Sequence, residues 1–364
     1  MNKCVYFIIN SLGGGGAERV CVTLANELNK SGIKVKIVIF NRKNNTYEKY
    51  VNKDIEIITL GASSTLKGYF LLLKFLIHIK PSNVLAFTDA IASICVLYKK
   101  LFHGKIKVVA RNINNLSLLK SNAETWKEKI LFLFVKILYP NVDMIIAQCV
   151  GMKNDLVNNW GINSEKVVVI NNPISDVIYR YSIDNFPSED NQEFLFIGRL
   201  EKQKGLEYLI EATKICIDRG YDFKVKVIGT GSLEENIKKK IKMNKLEKNI
   251  ILLGHKSNVE DYYIKAKAVV LSSIYEGFPN VLIEAITLGI PVVAFDCPSG
   301  PNEIINENNG FLVKYLDSED LANKMIEAFI CNWDMEKIRE TSQKYSIKSI
   351  IAQYKYILNQ QFIE

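Results

Sequence analysis

Short apolar runs of three to six residues recur along this chain, each followed by a stretch of helix length, and the rhythm plays twice with one break. Val5–Ile9, Val35–Phe40, Ile55–Leu60, Val84–Phe87, Val108–Ala110, Met144–Ala147 and Val167–Ile170 form the first series. Phe194–Ile197, Val225–Ile228, Ile250–Leu253, Ala268–Leu271 and Pro291–Phe295 form the second. Between the first two runs, Val20, Leu24 and Leu28 recur at helical spacing within Ala17–Leu28. Such runs read as strands buried on both faces, and strands alternating with helices build a parallel sheet with helices on either side. The break is Asn172–Asn191, where Pro173, Pro187 and a group of acidic residues interrupt the periodicity. The pattern therefore predicts an α/β chain of two doubly wound domains. The first spans 1–175, a linker follows over 176–191, the second spans 192–340, and a helical tail over 341–364 packs back on the first. Two such sheets leave a cleft at their strand carboxyl ends, the usual ligand position.

Composition agrees with two cores: 364 residues, 48% of them hydrophobic, with 24% charged and only 8 prolines. Seven cysteines without C-x-x-C spacing argue against a disulfide framework and fit a reducing cytosol. The most apolar windows, Tyr69–Ile79 and Ile130–Leu138, are interrupted by Lys74 and Lys136. They fall short of the roughly 18–20 apolar residues that span a bilayer, so no transmembrane helix is expected. Charge is unevenly shared. Residues 1–180 carry 24 Lys and Arg against 12 Asp and Glu, and the remainder carry 23 against 27. A basic front half points to an anionic partner: a nucleic acid, a lipid headgroup surface or a pyrophosphate-bearing substrate.

Three segments carry candidate chemistry. Gly13-Gly14-Gly15-Gly16-Ala17-Glu18-Arg19 joins the first strand to its helix, where N–H groups favour an anion, although it also reads as a plain turn. It fits neither the G-x-G-x-x-G register nor a P-loop. Gly198-Arg199-Leu200-Glu201-Lys202-Gln203-Lys204-Gly205 leaves the first strand of the second domain. There two cations and a helix start can meet a diphosphate, unless they are ordinary surface charges. Glu276-Gly277-Phe278-Pro279-Asn280-Val281-Leu282-Ile283-Glu284 follows strand Ala268–Leu271. With Pro279 in a first helical turn, eight residues of helix would set Glu276 and Glu284 about 12 Å apart, a span that matches the two sugars of a nucleotide-sugar. The apolar neighbours of Glu284 favour a buried, partnered carboxylate over a solvated one.

These three segments, in this order, resemble the retaining family 4 glycosyltransferases of the GT-B fold. That fold has two Rossmann-like domains, and the type resembled is that of bacterial surface-polysaccharide or lipid-linked-oligosaccharide assembly. The resemblance rests on Gly-Gly-Ala-Glu-Arg, on Gly198-Arg199-Leu200 with Lys204-Gly205, and on Glu276 and Glu284 at the E-x7-E spacing. It also rests on Gly289–Ala294 and Asp296–Ile305, and it covers nearly the whole chain. It implies that Arg199 and Lys204 hold the nucleoside diphosphate and that Glu276 faces the donor sugar. Backbone N–H groups around Phe278–Leu282 would lie on the sugar and phosphates, in a stretch whose expected substrate-binding residues are Gly277, Phe278, Pro279, Asn280, Val281 and Leu282, and Glu284 would bind ribose. Gly231, in Gly229-Thr230-Gly231, and His255 and Lys256 after Gly254 would flank the base. Gly14, Gly15 and Gly16 would approach the phosphates. Many relatives have a His after the strand ending Val108–Ala110; this chain has Arg111-Asn112, as does a subset with a similar glycine turn.

The resemblance implies transfer of a hexose or N-acetylhexosamine with retention, from a donor expected to carry UDP. The chain contains no D-x-D triplet, and neither metal nor cofactor is expected. Arg199, Lys204 and Glu276 are the expected catalytic set, and Gly198 lies beside them. The basic front half fits a glycan acceptor linked to polyprenyl diphosphate. Lys120, Lys127, Lys129 and Lys136 among Leu118, Leu119, Trp126, Ile130, Leu131, Phe132, Leu133, Phe134 and Ile137 fit either an anionic membrane face or a helix packed on the sheet. The expected location is cytoplasmic, peripheral on the inner face of the cell membrane. A nucleotide-sugar epimerase or hydrolase, and a non-catalytic nucleotide-sugar-binding subunit, are the rival readings. No nucleic-acid recognition motif appears, so nucleic acid is not an expected partner.

Overall fold

A computed structural model of the chain describes residues 4–13, 15–43, 45–121, 123, 125–188 and 191–359. They form two compact units: residues up to Pro173 together with those from Ile347 onward, and Ile174–Ser346.

The first unit holds seven parallel strands: β1 (Val5–Ile9), β2 (Val35–Ile39), β3 (Glu56–Thr59), β4 (Asn83–Ala86), β5 (Lys107–Arg111), β6 (Met144–Ala147) and β7 (Val167–Val169). They lie in the order β3-β2-β1-β4-β5-β6-β7. The chain runs outward from β1 to β3, then returns to place β4 on β1's other side, with Phe7 opposite both Ile37 and Leu85. That reversal creates a topological switch point between β1 and β4. All four residues of β4 and of β6 are buried, as expected for strands covered on both faces.

The helix Ile347–Asn359 belongs to this unit. Ile350, Ile351, Tyr354, Ile357 and Leu358 line one face at helical spacing and join a core with Phe7, Leu24, Ile37 and Val109. Each such side chain stabilises by about 1.5–3 kcal/mol when fully buried.

The second unit holds six parallel strands: β8 (Glu193–Ile197), β9 (Lys224–Ile228), β10 (Ile250–Gly254), β11 (Ala268–Leu271), β12 (Val292–Phe295) and β13 (Gly310–Val313). Their order is β10-β9-β8-β11-β12-β13, so the switch point falls between β8 and β11. Phe194 on β8 meets Phe223 edge to face, with ring centroids 4.7 Å apart, in a core with Val225, Val270, Val293 and Met325.

Two features differ from the sequence expectation. Residues 176–184, inside the expected linker, form the helix Asp176–Asp184, and they belong to the second unit. Ser175 caps it by accepting from the Ile178 N–H, Asp176 sits at the favourable end of the helix dipole, and only Ile178 is buried. A helix with one buried residue leaves too weak a periodic signal to be seen. Strand β13 was not expected either. It is a four-residue run that begins at Gly310, where an added Cβ would lie 2.0 Å from the Val292 carbonyl, so the glycine permits the close pairing with β12.

Candidate active site

The loops after β8 and β11 flank the switch point of the second sheet and are tied together before any side-chain chemistry begins. The Ile274 N–H donates to the Gln203 carbonyl at 2.8 Å, the Gln203 amide donates to the Tyr275 carbonyl, and Ser272 Oγ donates to the Lys204 carbonyl. Gly205, at φ 58°, makes this crossing possible: a Cβ there would lie 2.1 Å from the Ser272 carbonyl oxygen. Behind them, the loop after β9 presses on the loop after β8. Gly229, at φ 142°, would place a Cβ 1.9 Å from the Gly198 carbonyl, and Gly231 would place one 2.4 Å from that of Leu200. Glu201 accepts from Ser232 N–H and Oγ, which holds its carboxyl below the usual range.

On this framework Lys204 and Glu276 meet. Lys204 Nζ lies 2.5 Å from Glu276 Oε1, and Ser273 Oγ donates to the same oxygen at 2.6 Å. Glu276 is 7% exposed, so the pair is largely out of water, where its attraction is strong and loss of either partner is costly. Both bonds fall on Oε1, and Oε2 takes part in neither. An ammonium has three donors, so Lys204 keeps capacity for an anion. Cys297 lies close by; burial pushes its thiol up, and the Glu276 carboxylate adds to that. Arg199, one residue beyond Gly198, is exposed.

The span from Glu276 to Glu284 is not helical throughout, which corrects the 12 Å expectation. Pro279 is the N-cap at φ −76°, ψ 96°, not a first-turn residue, and the helix is Asn280–Thr287. Its buried run from Leu282 to Thr287 carries Glu284 inward to 4% exposure, where Oε2 accepts from Tyr263 Oη at 2.8 Å. Of the N–H groups expected to face the donor, Pro279 has none and Leu282 spends its own on the Pro279 carbonyl. No side chain caps this helix, so its N-terminus points positive partial charge out of the loop that begins at Gly277 and Phe278. Gly300, at φ 101°, packs against that loop: a Cβ there would lie 2.6 Å from Pro279 Cδ. Val281 is half-buried, Lys256 is half-buried, and His255 is exposed beyond the end of β10.

In the first unit, Gly14 lies outside the described residues. Gly15 is the N-cap of the helix Gly16–Lys30, again with no side-chain cap. Arg111 ends β5 and is 1% exposed, with its Cζ 5.6 Å from the Phe87 ring centroid. Its Nε donates to Tyr354 Oη at 3.2 Å and its Nη2 donates to Asn172 Oδ1, while Nη1 is buried with no partner among the described residues. Asn112 is equally buried; its carbonyl accepts from Gln148, and its Nδ2 has no partner among the described residues. Asn10 Oδ1, just past β1, is a third such atom.

The sequence reading did not assign roles to Ser273, Tyr263, Tyr354 or Asn172. Ser273 stood next to a motif and could have been weighed as a partner for Glu276. Tyr354 and Asn172 reach Arg111 from 243 and 61 residues away, and no local pattern signals that.

The pattern of the family described as Glycosyltransferase Family 4 matches residues 14–176, and that of Glycosyl transferases group 1 matches residues 180–345. The chain is 29% identical to the N-acetylgalactosamine-N,N'-diacetylbacillosaminyl-diphospho-undecaprenol 4-alpha-N-acetylgalactosaminyltransferase of Campylobacter jejuni, over 93% of this chain and 92% of that one. It is 25% identical to the amylovoran biosynthesis glycosyltransferase AmsD of Erwinia amylovora, over 99% and 100%. Among solved structures, HepE of Anabaena in complex with UDP shares the fold at a TM-score of 0.77 and 19% identity, covering 98% of this chain and 99% of that one. With two doubly wound parallel sheets and both halves matched, the chain belongs to the family 4 glycosyltransferases of GT-B fold, of the kind found in bacterial surface-polysaccharide assembly.

Proposed function

We propose that this glycosyltransferase moves a hexosyl or N-acetylhexosaminyl group from a UDP-sugar to a glycan carried on polyprenyl diphosphate, with retention and without a metal ion. The observation that carries the donor half is the Lys204–Glu276 pair at the switch point of the second sheet, beside an uncapped helix N-terminus. Lys204 and Arg199 take the diphosphate, and the N–H groups of Phe278 and Val281, on either side of the Pro279 N-cap, add dipoles. Glu276 accepts from hydroxyls of the transferred sugar. Glu284 accepts from the ribose, with Tyr263 fixing its orientation. Gly231, His255 and Lys256 border the base, and the Gly14–Gly16 turn serves the phosphates. The similarity to a transferase named for a diphospho-undecaprenol substrate, and the net positive charge of residues 1–180, support a lipid-linked anionic acceptor.

In the step itself, the acceptor oxygen bonds to the anomeric carbon on the face from which the phosphate departs. The C1–O bond to the diphosphate breaks, and the leaving phosphate oxygen takes the acceptor's proton. The chain's own task is to stabilise negative charge as it develops on the diphosphate. Fixed cations and N–H dipoles do this without reorganisation, and loss of one such donor costs about 10²–10³ in kcat. Among the described residues, no helix is long and apolar enough to cross a membrane, so work on a lipid-linked acceptor would be done from the membrane surface.

A panel of UDP- and GDP-sugars with a sugar-diphosphate-lipid acceptor tests this, with the product anomer read by NMR and Glu276→Ala as control. A retained anomer from a UDP-sugar, unaffected by EDTA and lost in Glu276→Ala, is the expected result. Free sugar plus UDP would favour a hydrolase or epimerase, and donor binding without turnover would favour a binding subunit.

A further inference from the structure

The helix Trp126–Leu138 is apolar on two opposite sides. Val135 and Leu138 are buried, and the helix packs against the helix Asp89–Leu101. On the other side, Trp126, Ile130, Leu133 and Ile137 are 57 to 67% exposed. Their spacing of four, three and four residues draws one continuous stripe about 16 Å long. A helix that needs only its buried side for folding has no structural reason for the second stripe. The helix Thr65–Ile79 repeats the device. Leu72 and Leu76 are buried, while Leu66 and Phe70 are exposed at the start of a stripe that continues through the half-buried Leu73 and Ile77. The helix Asp89–Leu101 packs against both, and Leu101 and Phe102 at its end are exposed as well. All three helices carry the chain toward the same edge of the first sheet, and right-handed crossovers put them on one face of it.

Charge identifies what covers this face. Residues 61–142 contain 12 Lys and Arg against 3 Asp and Glu, a net of +9. Two of the three acids are already engaged or hidden: Glu128 closes a capping box with Thr125, and burial pushes the Asp89 carboxyl up. Lys129 and Lys136 border the stripe on one side and Lys127 on the other. Lys127 Nζ stands 5.7 Å from the Trp126 ring centroid, and Lys74 Nζ 4.6 Å from that of Phe70. Next to the stripe, Ser117, Lys120, Ser121, Lys136, Asn159 and Trp160 line a cavity of about 530 Å³, which sets two ammonium groups around one recess. A second copy of the chain would bring the same positive charge against itself.

We propose that this helical face is the docking surface for an anionic phospholipid bilayer, with Trp126, Ile130, Leu133 and Ile137 entering the headgroup–acyl boundary and the lysines meeting lipid phosphates. The proposal deepens the lipid-linked acceptor reading, since an enzyme held here works where such an acceptor lies.

The test is flotation of the full chain, without any acceptor, on phosphatidylcholine vesicles with and without phosphatidylglycerol. Wild type is expected to float only with the anionic lipid, to be released by salt, and to shift its tryptophan emission to the blue. Ile130→Ser/Leu133→Ser/Ile137→Ser should lose about 100-fold in partitioning. Each of Lys127→Gln, Lys129→Gln and Lys136→Gln should lose about fivefold. An unchanged circular-dichroism melt establishes that the serine variant is folded. Equal flotation on both vesicles, retention of binding by the serine variant, or a wild-type dimer that this variant dissociates would each overturn the proposal. Because no glycan is present, failure of the acceptor reading leaves the flotation result standing. Turnover of the serine variant on a short-chain soluble acceptor should equal that of wild type, which separates docking from chemistry.

Discussion

At the carboxyl edge of the second sheet, Lys204 meets Glu276 at 2.5 Å, Ser273 donates to the same carboxylate, and Tyr263 holds Glu284. At the carboxyl edge of the first, Asn10 Oδ1, Arg111 Nη1 and Asn112 Nδ2 are buried without partners among the described residues. Both sheets run outward on one side of their first strand and return on the other, so topology does not explain the difference. An edge whose polar groups are already tied holds its geometry before the ligand arrives, as transition-state stabilisation requires. Each untied buried group costs about 1–3 kcal/mol, and such groups in native proteins call for an explanation. We read the second edge as the rigid donor site and the first as an edge completed by substrate oxygens.

The sharpest way to break that comparison is to untie the rigid edge. Lys204→Ala and Glu276→Ala should each lower kcat about 10²–10³-fold, measured as sugar transfer from the donor. The double variant should lose far less than the product of the two, because each single change strands the other charge. Turnover near wild type in either single variant would remove the donor assignment.

The next largest effect tests the framework beneath the pair. Gly205→Ala places a Cβ against the Ser272 carbonyl at a positive φ, and a loss of about 2–3 kcal/mol in chemical denaturation is expected. Donor affinity should fall with it. If stability falls and donor affinity does not, the two loops hold the fold but not the site.

At the first edge the expected losses are smaller. Tyr354→Phe removes an acceptor from a buried guanidinium and should cost about 1–3 kcal/mol. Arg111→Met strands Tyr354 Oη and Asn172 Oδ1 in turn and should also cost about 1–3 kcal/mol, while turnover falls. A variant that loses stability and keeps full turnover would make Arg111 a structural pin for the helix Ile347–Asn359 and nothing more.

The smallest effect concerns helix ends. Asp317 accepts from the Glu319 and Asp320 N–H groups at the start of the helix Ser318–Ile330, and these bonds hold its carboxyl below the ordinary range. A carboxyl depressed in the folded state adds stability above its unfolded pKa and loses it as pH falls through the folded value. Stability should therefore drop slightly below about pH 4, and Asp317→Asn should flatten that part of the profile.

Twelve of the thirteen strands show as apolar runs because strands buried on both faces carry their signal in composition. Strand β13 does not, since Gly310 and the three residues after it are too little to distinguish from a loop. Glu276, Glu284, Arg199 and Lys204 were visible from their places at strand ends and from the E-x7-E spacing. What they touch was not. Lys204 and Glu276 stand 72 residues apart, and a pairing of that kind is fixed by the sheet order, which places β8 beside β11. Arg111 shows the converse. Its position in sequence suggests a substrate contact, but not the distant Tyr354 and Asn172 that tie its Nε and Nη2.

A crystal of the enzyme soaked with UDP puts the donor site to its most direct test. The diphosphate should lie in the second unit, with an oxygen about 3 Å from Lys204 Nζ, Arg199 turned toward it, and the ribose hydroxyls on Glu284. Density for the nucleotide against the first unit, or in the second unit with its phosphates away from Lys204 and Arg199, would contradict it.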